Sequence, residues 1–260
     1  MRESIFNEYL QNSLFLKMKW LQIIKDFLLY TGVLRIFSPL NNIALFVRNF
    51  NRLNKWIRRN NASNLLINDF YVFRRNYTKR LDLYRAVSNN YQLDQKVLLY
   101  LEFGVASGQS FIWWLGHNVH PQSRFYGFDT FEGLPEKWGS FYKKGDMAHE
   151  MSGIEVQDSR ANLVKGTFQQ TLANFNQEHA AELKSIPKLI HLDADLFSST
   201  IFVLSQLYPF LNKGDIILFD EFNVANHEYF AFQIFTDAFY VNMRLIAAQN
   251  NFYQTAFVID

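Results

Sequence analysis

The chain has 260 residues, 49% of them hydrophobic, with 27 Phe, 13 Tyr and a net charge of +2. That length holds one α/β domain with an accessory segment, or two small domains, and the aromatic content excludes a disordered chain. There is no cysteine, which excludes disulfides, Cys-ligated zinc and thiol catalysis and leaves oxygen or imidazole as the ligands for any metal.

The near-neutral total hides an asymmetry. Residues 1–90 hold 15 Lys/Arg against 5 Asp/Glu, and residues 91–260 hold 11 against 19. The front segment reads as helical: Trp20, Ile23, Ile24, Phe27 and Leu28 recur at helical spacing, as do Ile43, Phe46, Val47 and Phe50. Gly32, Pro39 and the Asn60-Asn61-Ala62-Ser63 stretch punctuate it. Its longest apolar candidate, Ser13 to Phe37, is interrupted by Lys17, Lys19, Lys25, Asp26 and Arg35, so no spanning helix is expected. No secretion signal is legible at the N-terminus, and a cytoplasmic protein is expected. Arg48, Arg52, Lys55, Arg58 and Arg59 surround Phe50 and Trp56. This run reads either as a solvated helix face or as peripheral contact with a membrane or an acidic partner. No nucleic-acid motif accompanies it, so no nucleic-acid partner is expected.

The texture changes at Val97. Strand-length apolar runs (Val97–Phe103, Phe125–Phe128, Asn162–Val164, Lys188–Leu192, Asp215–Phe219) alternate with helical stretches (Gly108–His117, Thr167–Leu183, Ser198–Leu211). Such alternation predicts a parallel sheet buried on both faces. Arg244–Ala248 and Phe252–Ile259, split by Gln249-Asn250-Asn251, predict a closing antiparallel hairpin. The division expected is a helical segment over 1–90, serving as lid, dimer contact or substrate-side cap, and a catalytic domain over 91–260.

Four motifs follow strands. Glu102-Phe103-Gly104-Val105-Ala106-Ser107-Gly108-Gln109-Ser110 is a glycine turn opening a helix, where backbone amides and the Ser110 hydroxyl suit a carboxylate. Its Glu-x-Gly-x-x-x-Gly spacing differs from the Gly-x-Gly-x-x-Gly of dinucleotide enzymes. Asp129 ends the second strand, some twenty residues on, where an acid accepts from ribose hydroxyls. Asp193 and Asp195, then Asp220 and Glu221, end two further strands. Carboxylates crowded at one sheet edge repel unless a cation or proton sits among them, and Mg²⁺ would resolve this; Asp195 reads equally as a helix cap. His227 and Glu228 follow in a loop that faces an acceptor pocket in this layout, so His227 is either a general base or a helix cap. His149 and Glu150 are weaker candidates for a substrate lid.

With these motifs, Tyr126–Pro135, Val164–Leu172 and Gly214–Phe222 in order, the chain resembles the macrocin O-methyltransferase (TylF-like) family. The resemblance spans roughly Val97 to Asp260 and implies a Rossmann-like class I sheet with S-adenosylmethionine (SAM) as cofactor. It implies that Glu102, Gly104, Gly108 and Ser110 serve the methionine part, Asp129 the ribose, and Gly166, Thr167 and Phe168 the adenine. Asp193 would touch both cofactor and metal, with Asp220 and Glu221 completing a Mg²⁺ site; Glu221 departs from the Asp or Asn usual there. The expected reaction is O-methylation of a sugar or natural-product hydroxyl, on a small-molecule or glycan acceptor, with Asp193 and His227 as catalytic candidates and homo-oligomers allowed. A metal-independent methyltransferase is the nearest alternative. A nicotinamide oxidoreductase is opposed by the turn spacing, and a non-catalytic membrane scaffold leaves the strand-end acids unexplained.

Overall fold

The computed structural model describes residues 2–138, 142–149, 154 and 157–260, with side chains described from Phe15 onward. Seven strands form one sheet: β1 (Leu99–Phe103), β2 (Arg124–Asp129), β3 (Ala161–Lys165), β4 (Lys188–Leu192), β5 (Ile216–Phe219), β6 (Met243–Gln249) and β7 (Gln254–Ile259), in the order β3-β2-β1-β4-β5-β7-β6. The first five are parallel, and β7 runs antiparallel between β5 and β6. The expected Rossmann-like sheet with a C-terminal antiparallel hairpin is the observed architecture.

Alternation along each strand explains why the parallel runs are mostly apolar. Leu99, Leu101 and Phe103 enter one core, with Ile190, Leu192, Ile217 and Phe219, whereas Tyr100, Leu189, Ile216 and Leu218 enter a second core on the opposite face. Side chains of a strand point alternately to the two faces, so covering both with helices leaves few polar positions, and those that remain, such as Glu102 and His191, are buried with hydrogen-bond partners.

The helices are α1 (Arg2–Thr31), α2 (Asn41–Asn60), α3 (Arg80–Tyr91), α4 (Gln109–His117), α5 (Phe168–Glu178), α6 (Ala180–Ser185), α7 (Phe197–Leu207) and α8 (Glu228–Phe239) in chain order, with α1 and the start of α2 in a separate unit. Two expected helices are shorter than the pattern suggested. Thr167–Leu183 breaks at His179 into α5 and α6, and Ser198–Leu211 stops at Leu207 before a tight turn through Tyr208, Pro209 and Phe210. Pro209 has no N–H to continue the helix ladder. In the hairpin, Asn250, Asn251 and Phe252 all have positive φ, so β7 begins at Gln254 rather than Phe252.

The chain divides into two compact units, residues 1–48 and 49–260. The first contains α1, the turn Val33–Leu40 and the start of α2. The second takes in residues 49–90, which the change in charge and texture had grouped with the front segment. Burial is the reason. Leu53 and Ile57 are buried, and Trp56 sits with its ring 5.0–6.2 Å from Phe222, Phe252 and Phe257. On the opposite face, Leu83, Tyr84 and Val87 of α3 are buried. Among the described residues, no helix is long and apolar enough to cross a membrane.

At the amino end of β4, the Lys188 ammonium lies 3.0 Å from Asp215, both side chains almost fully buried. Burial pushes the Asp215 carboxyl up despite the lysine, so the pair matters chiefly because neither member can be left alone. Lys188→Met is expected to destabilise the fold by about 3–5 kcal/mol, measured by urea unfolding; a loss under about 1 kcal/mol would show that Asp215 finds another partner.

Candidate functional site

The strand register builds the site. Phe103 pairs with Phe128 and with Leu192, and Leu192 pairs with Phe219. The next residues, Gly104, Asp129, Asp193 and Asp220, therefore stand side by side at the carboxyl edge. Backbone bonds hold them there: Gly104 N–H donates to Phe128 O, Asp193 N–H to Phe103 O and Asp220 N–H to Leu192 O, at 2.9–3.0 Å. Strand order reverses between β1 and β4, and ligands of open parallel sheets bind at such a crevice.

Gly104 is required by packing as well as by approach to a ligand. Its φ is +97°, and a Cβ there would lie 1.8 Å from the Asp193 carbonyl oxygen. The glycine thus lets the ends of β1 and β4 touch. Asp129 joins the two turns beside it, its carboxylate accepting from Ala106 N–H at 2.9 Å and Phe131 N–H at 2.7 Å.

Carboxylates crowd the neighbouring strand ends. One oxygen each from Asp193, Asp195 and Glu221 lie within 4.8 Å of one another, and so do ligand atoms of His191, Asp193 and Asp220. Loss of hydration, then Asp220 and Asp195, push the Asp193 carboxyl well above its usual range. Asp195 is pushed up to about 6, chiefly by burial, with a hydrogen bond to Glu221 working against the shift. Glu221 and the fully buried Glu228 behind it are also raised well above the usual range, burial again leading. Glu228 accepts from the Glu221 N–H at 2.9 Å, but its Oε1, Asp220 Oδ1 and Glu221 Oε2 are buried without a hydrogen-bond partner. Unpartnered buried oxygens of this kind fit a hard divalent cation, which would keep the acids ionised. Asp195 does not cap α7: the cap position is Leu196, and Asp195 itself turns at φ +58°.

A cavity of about 350 Å³ opens over this edge, within reach of a small cofactor and part of an acceptor. Of the residues expected at the site, Gly104, Asp129, Thr167, Phe168, Asp193, Asp220 and Glu221 line it. Others lie elsewhere. Glu102 is buried under it, accepting from Tyr100 Oη. The Ser110 hydroxyl pairs with the buried Tyr84 hydroxyl at 3.1 Å, so it is engaged by the protein itself. Gly108 begins α4 with φ +78°, and Gly166 bends the chain before α5 with φ +143°. His227 precedes α8, its Nδ1 accepting from Phe197 N–H at 3.3 Å, and burial lowers its pKa. Of the lid candidates, His149 is exposed and Glu150 lies outside the described residues.

The cavity also contains residues that no sequence pattern marked. Tyr77 and Arg80 come from the segment before β1, and the Arg80 guanidinium lies 3.8 Å from Asp220. Trp138 and Tyr142 stack with ring centres 5.0 Å apart. Tyr253 Oη donates to Glu221 Oε1 at 3.1 Å. The Arg80–Asp220 and Tyr253–Glu221 contacts are long-range, and a run of sequence carries no signal for them; the Trp138–Tyr142 stack is local and is legible only as the aromatic richness of its loop.

Residues 101–222 match the family described as a methyltransferase domain. No curated protein matches the chain. Among solved structures, the calicheamicin methyltransferase CalS11 is similar at 22% identity, covering 82% of this chain and 91% of its own, with a TM-score of 0.54. The O-methyltransferase NovP is similar at 19% identity, covering 69% and 79%, with a TM-score of 0.51. At these identities the likeness speaks for the fold. With the matched domain it defines the class: the protein is a SAM-dependent methyltransferase with a Rossmann-like sheet.

Gly104→Ala is expected to lower the unfolding temperature and abolish cofactor binding, because β4 backbone occupies the space of the new methyl; wild-type calorimetry would refute the packing role. Asp195 has a folded pKa of about 6 against 3.8. Its contribution to stability is therefore complete below about 3.8 and lost as pH rises through 6. In chelator, Asp195→Asn is expected to melt higher than wild type at pH 7, with the difference vanishing near pH 4, by thermal scans at both values.

Proposed function

We propose that the protein is an O-methyltransferase of the macrocin O-methyltransferase-like kind, acting on a hydroxyl of a sugar or other natural product with the help of a divalent cation such as Mg²⁺. The observation that carries this reading is that Asp193 belongs to two groups of candidate ligands, one with Asp195 and Glu221 and one with His191 and Asp220, beside the glycine turn at the β1/β4 crevice, with an oxygen of Asp220 and one of Glu221 buried and unpartnered. NovP, named an O-methyltransferase, supports oxygen as the acceptor atom.

The chain's own groups divide the work. The Gly104 turn and the start of α4 would take the methionine end of the cofactor. Asp129 would accept from the ribose hydroxyls with the lone pairs its two amide bonds leave free, and Thr167 and Phe168 would flank the adenine. SAM, when bound, supplies a methyl group on a sulfonium, open to in-line attack. Asp193, Asp220 and Glu221 would hold the cation, with Asp195 now a fourth candidate ligand. The cation would supply Lewis-acid polarisation of the acceptor hydroxyl. The cavity walls, including the stacked Trp138 and Tyr142, would align the acceptor and exclude water, and alignment supplies much of the acceleration.

A metal-independent variant of the same reaction is supported by Arg80, which already sets a positive charge 3.8 Å from Asp220. In that reading Asp193, its pKa raised by loss of hydration and by the neighbouring acids, is the base. His227 is half-buried with a lowered pKa, and stands outside the cavity lining.

The experiments separate these readings. S-adenosylhomocysteine is expected to bind by calorimetry and NADH to give no heat. Asp129→Asn is expected to weaken S-adenosylhomocysteine roughly tenfold or more, since a hydrogen bond to a charged acceptor is worth about 1.5–3 kcal/mol; unchanged affinity would remove Asp129 from the ribose site. EDTA is expected to stop methyl transfer and Mg²⁺ to restore it, while Glu221→Asp keeps part of the metal response. Full turnover in EDTA would leave the metal-independent account.

A further inference from the structure

We propose that residues 15–48 seat the enzyme on an anionic lipid surface. This unit exposes large apolar side chains to an extent that a free soluble surface rarely does. Trp20, Phe27, Leu29 and Ile36 are 61–73% exposed, and Ile24 and Phe37 about half. On α1 these side chains occur around the whole helix, yet four charged side chains within Lys17–Asp26 keep it from being a span. At a lipid surface the aromatic rings would sit at the boundary, and the lysine stems would lie along the apolar layer with their ammonium groups reaching back to the phosphates. Lys19 already folds over its neighbour, its Nζ 4.7 Å from the Phe15 ring centre.

Exposed apolar area alone would fit a second copy of the chain equally well, and charge decides between them. Between residues 15 and 48 there are five basic residues, Lys17, Lys19, Lys25, Arg35 and Arg48, and a single acid, Asp26. That acid lies 3.9 Å from Lys25. From Phe27 to Asn68 there is no Asp or Glu at all, while six Lys/Arg occur. Pairing two such units would bring like charges together, whereas lipid phosphates neutralise them, with a gain for every Lys or Arg at the surface.

The test uses the full chain and two sets of vesicles, one of phosphatidylcholine and one of equal parts phosphatidylcholine and phosphatidylglycerol. The protein is expected to sediment with the mixed vesicles, to remain in the supernatant with the neutral ones, and to be released by added salt. The triple variant Lys17→Gln, Lys25→Gln, Arg35→Gln, all at exposed positions, is expected to lose about a hundredfold in partition, at roughly fivefold per charge. Its binding of S-adenosylhomocysteine should equal that of wild type, so the result stands apart from the methyltransferase reading. Equal sedimentation with both vesicle types would overturn the charge argument. A chain that ignores both and runs as a dimer in equilibrium ultracentrifugation would assign this face to self-association.

Discussion

The structure depends on one electrostatic conflict, the gathering of carboxylates at the carboxyl ends of β4 and β5. Parallel pairing in register places Asp193 and Asp220 next to each other because each follows the last residue of its strand. Asp195 and Glu221 follow within two residues and share the same space. Separation by a few ångströms in a region poor in water raises the pKa values of Asp193, Asp195 and Glu221, and the cost grows with each acid ionised. Such an arrangement is relieved by protons on some of the acids or by positive charge at that point, delivered by a bound cation, by Arg80, or by both.

The surrounding parts accommodate this conflict. Gly104 removes the side chain that would push β1 away from the Asp193 backbone. Glu228, fully buried on α8, holds the Glu221 amide and so fixes the backbone at the end of β5. Tyr253, from the turn before β7, holds one Glu221 oxygen and leaves the other free. The antiparallel hairpin therefore does more than close the sheet, since its turn supplies a hydroxyl to the acid pair. The longer reach of glutamate at position 221 is matched by two anchors, one on its amide and one on its carboxylate.

A polar network runs beneath the cavity. Tyr100 joins Glu102 to His191, and Tyr84 joins His191 to Ser110, all in a side of the core that is otherwise apolar. Buried polar groups are tolerated when each finds a partner. The network explains why Glu102 and Ser110, conspicuous in the motif, support the glycine turn from below instead of facing the cavity.

Local pattern in the sequence determined the order of strands and helices, the closing hairpin and the glycine turn, because each is written in a short continuous apolar run, in a periodicity of about 3.6 residues or in a residue with special backbone freedom. It also determined which acids end strands, since an apolar run stopping at Asp193 or Asp220 is visible without coordinates. Tertiary structure alone decided which groups meet. Arg80, Tyr77 and Tyr253 reach the cavity from segments far apart in the chain, and no window of sequence contains both members of those contacts. It decided that Asp195 joins the acids, with a positive φ and Leu196 in the cap position, and that His227 accepts from the Phe197 amide. It also decided that residues 49–90 pack with the sheet: charge and texture report composition, whereas Trp56, Leu83 and Tyr84 obey the apolar surface that the two faces of the sheet leave to be covered.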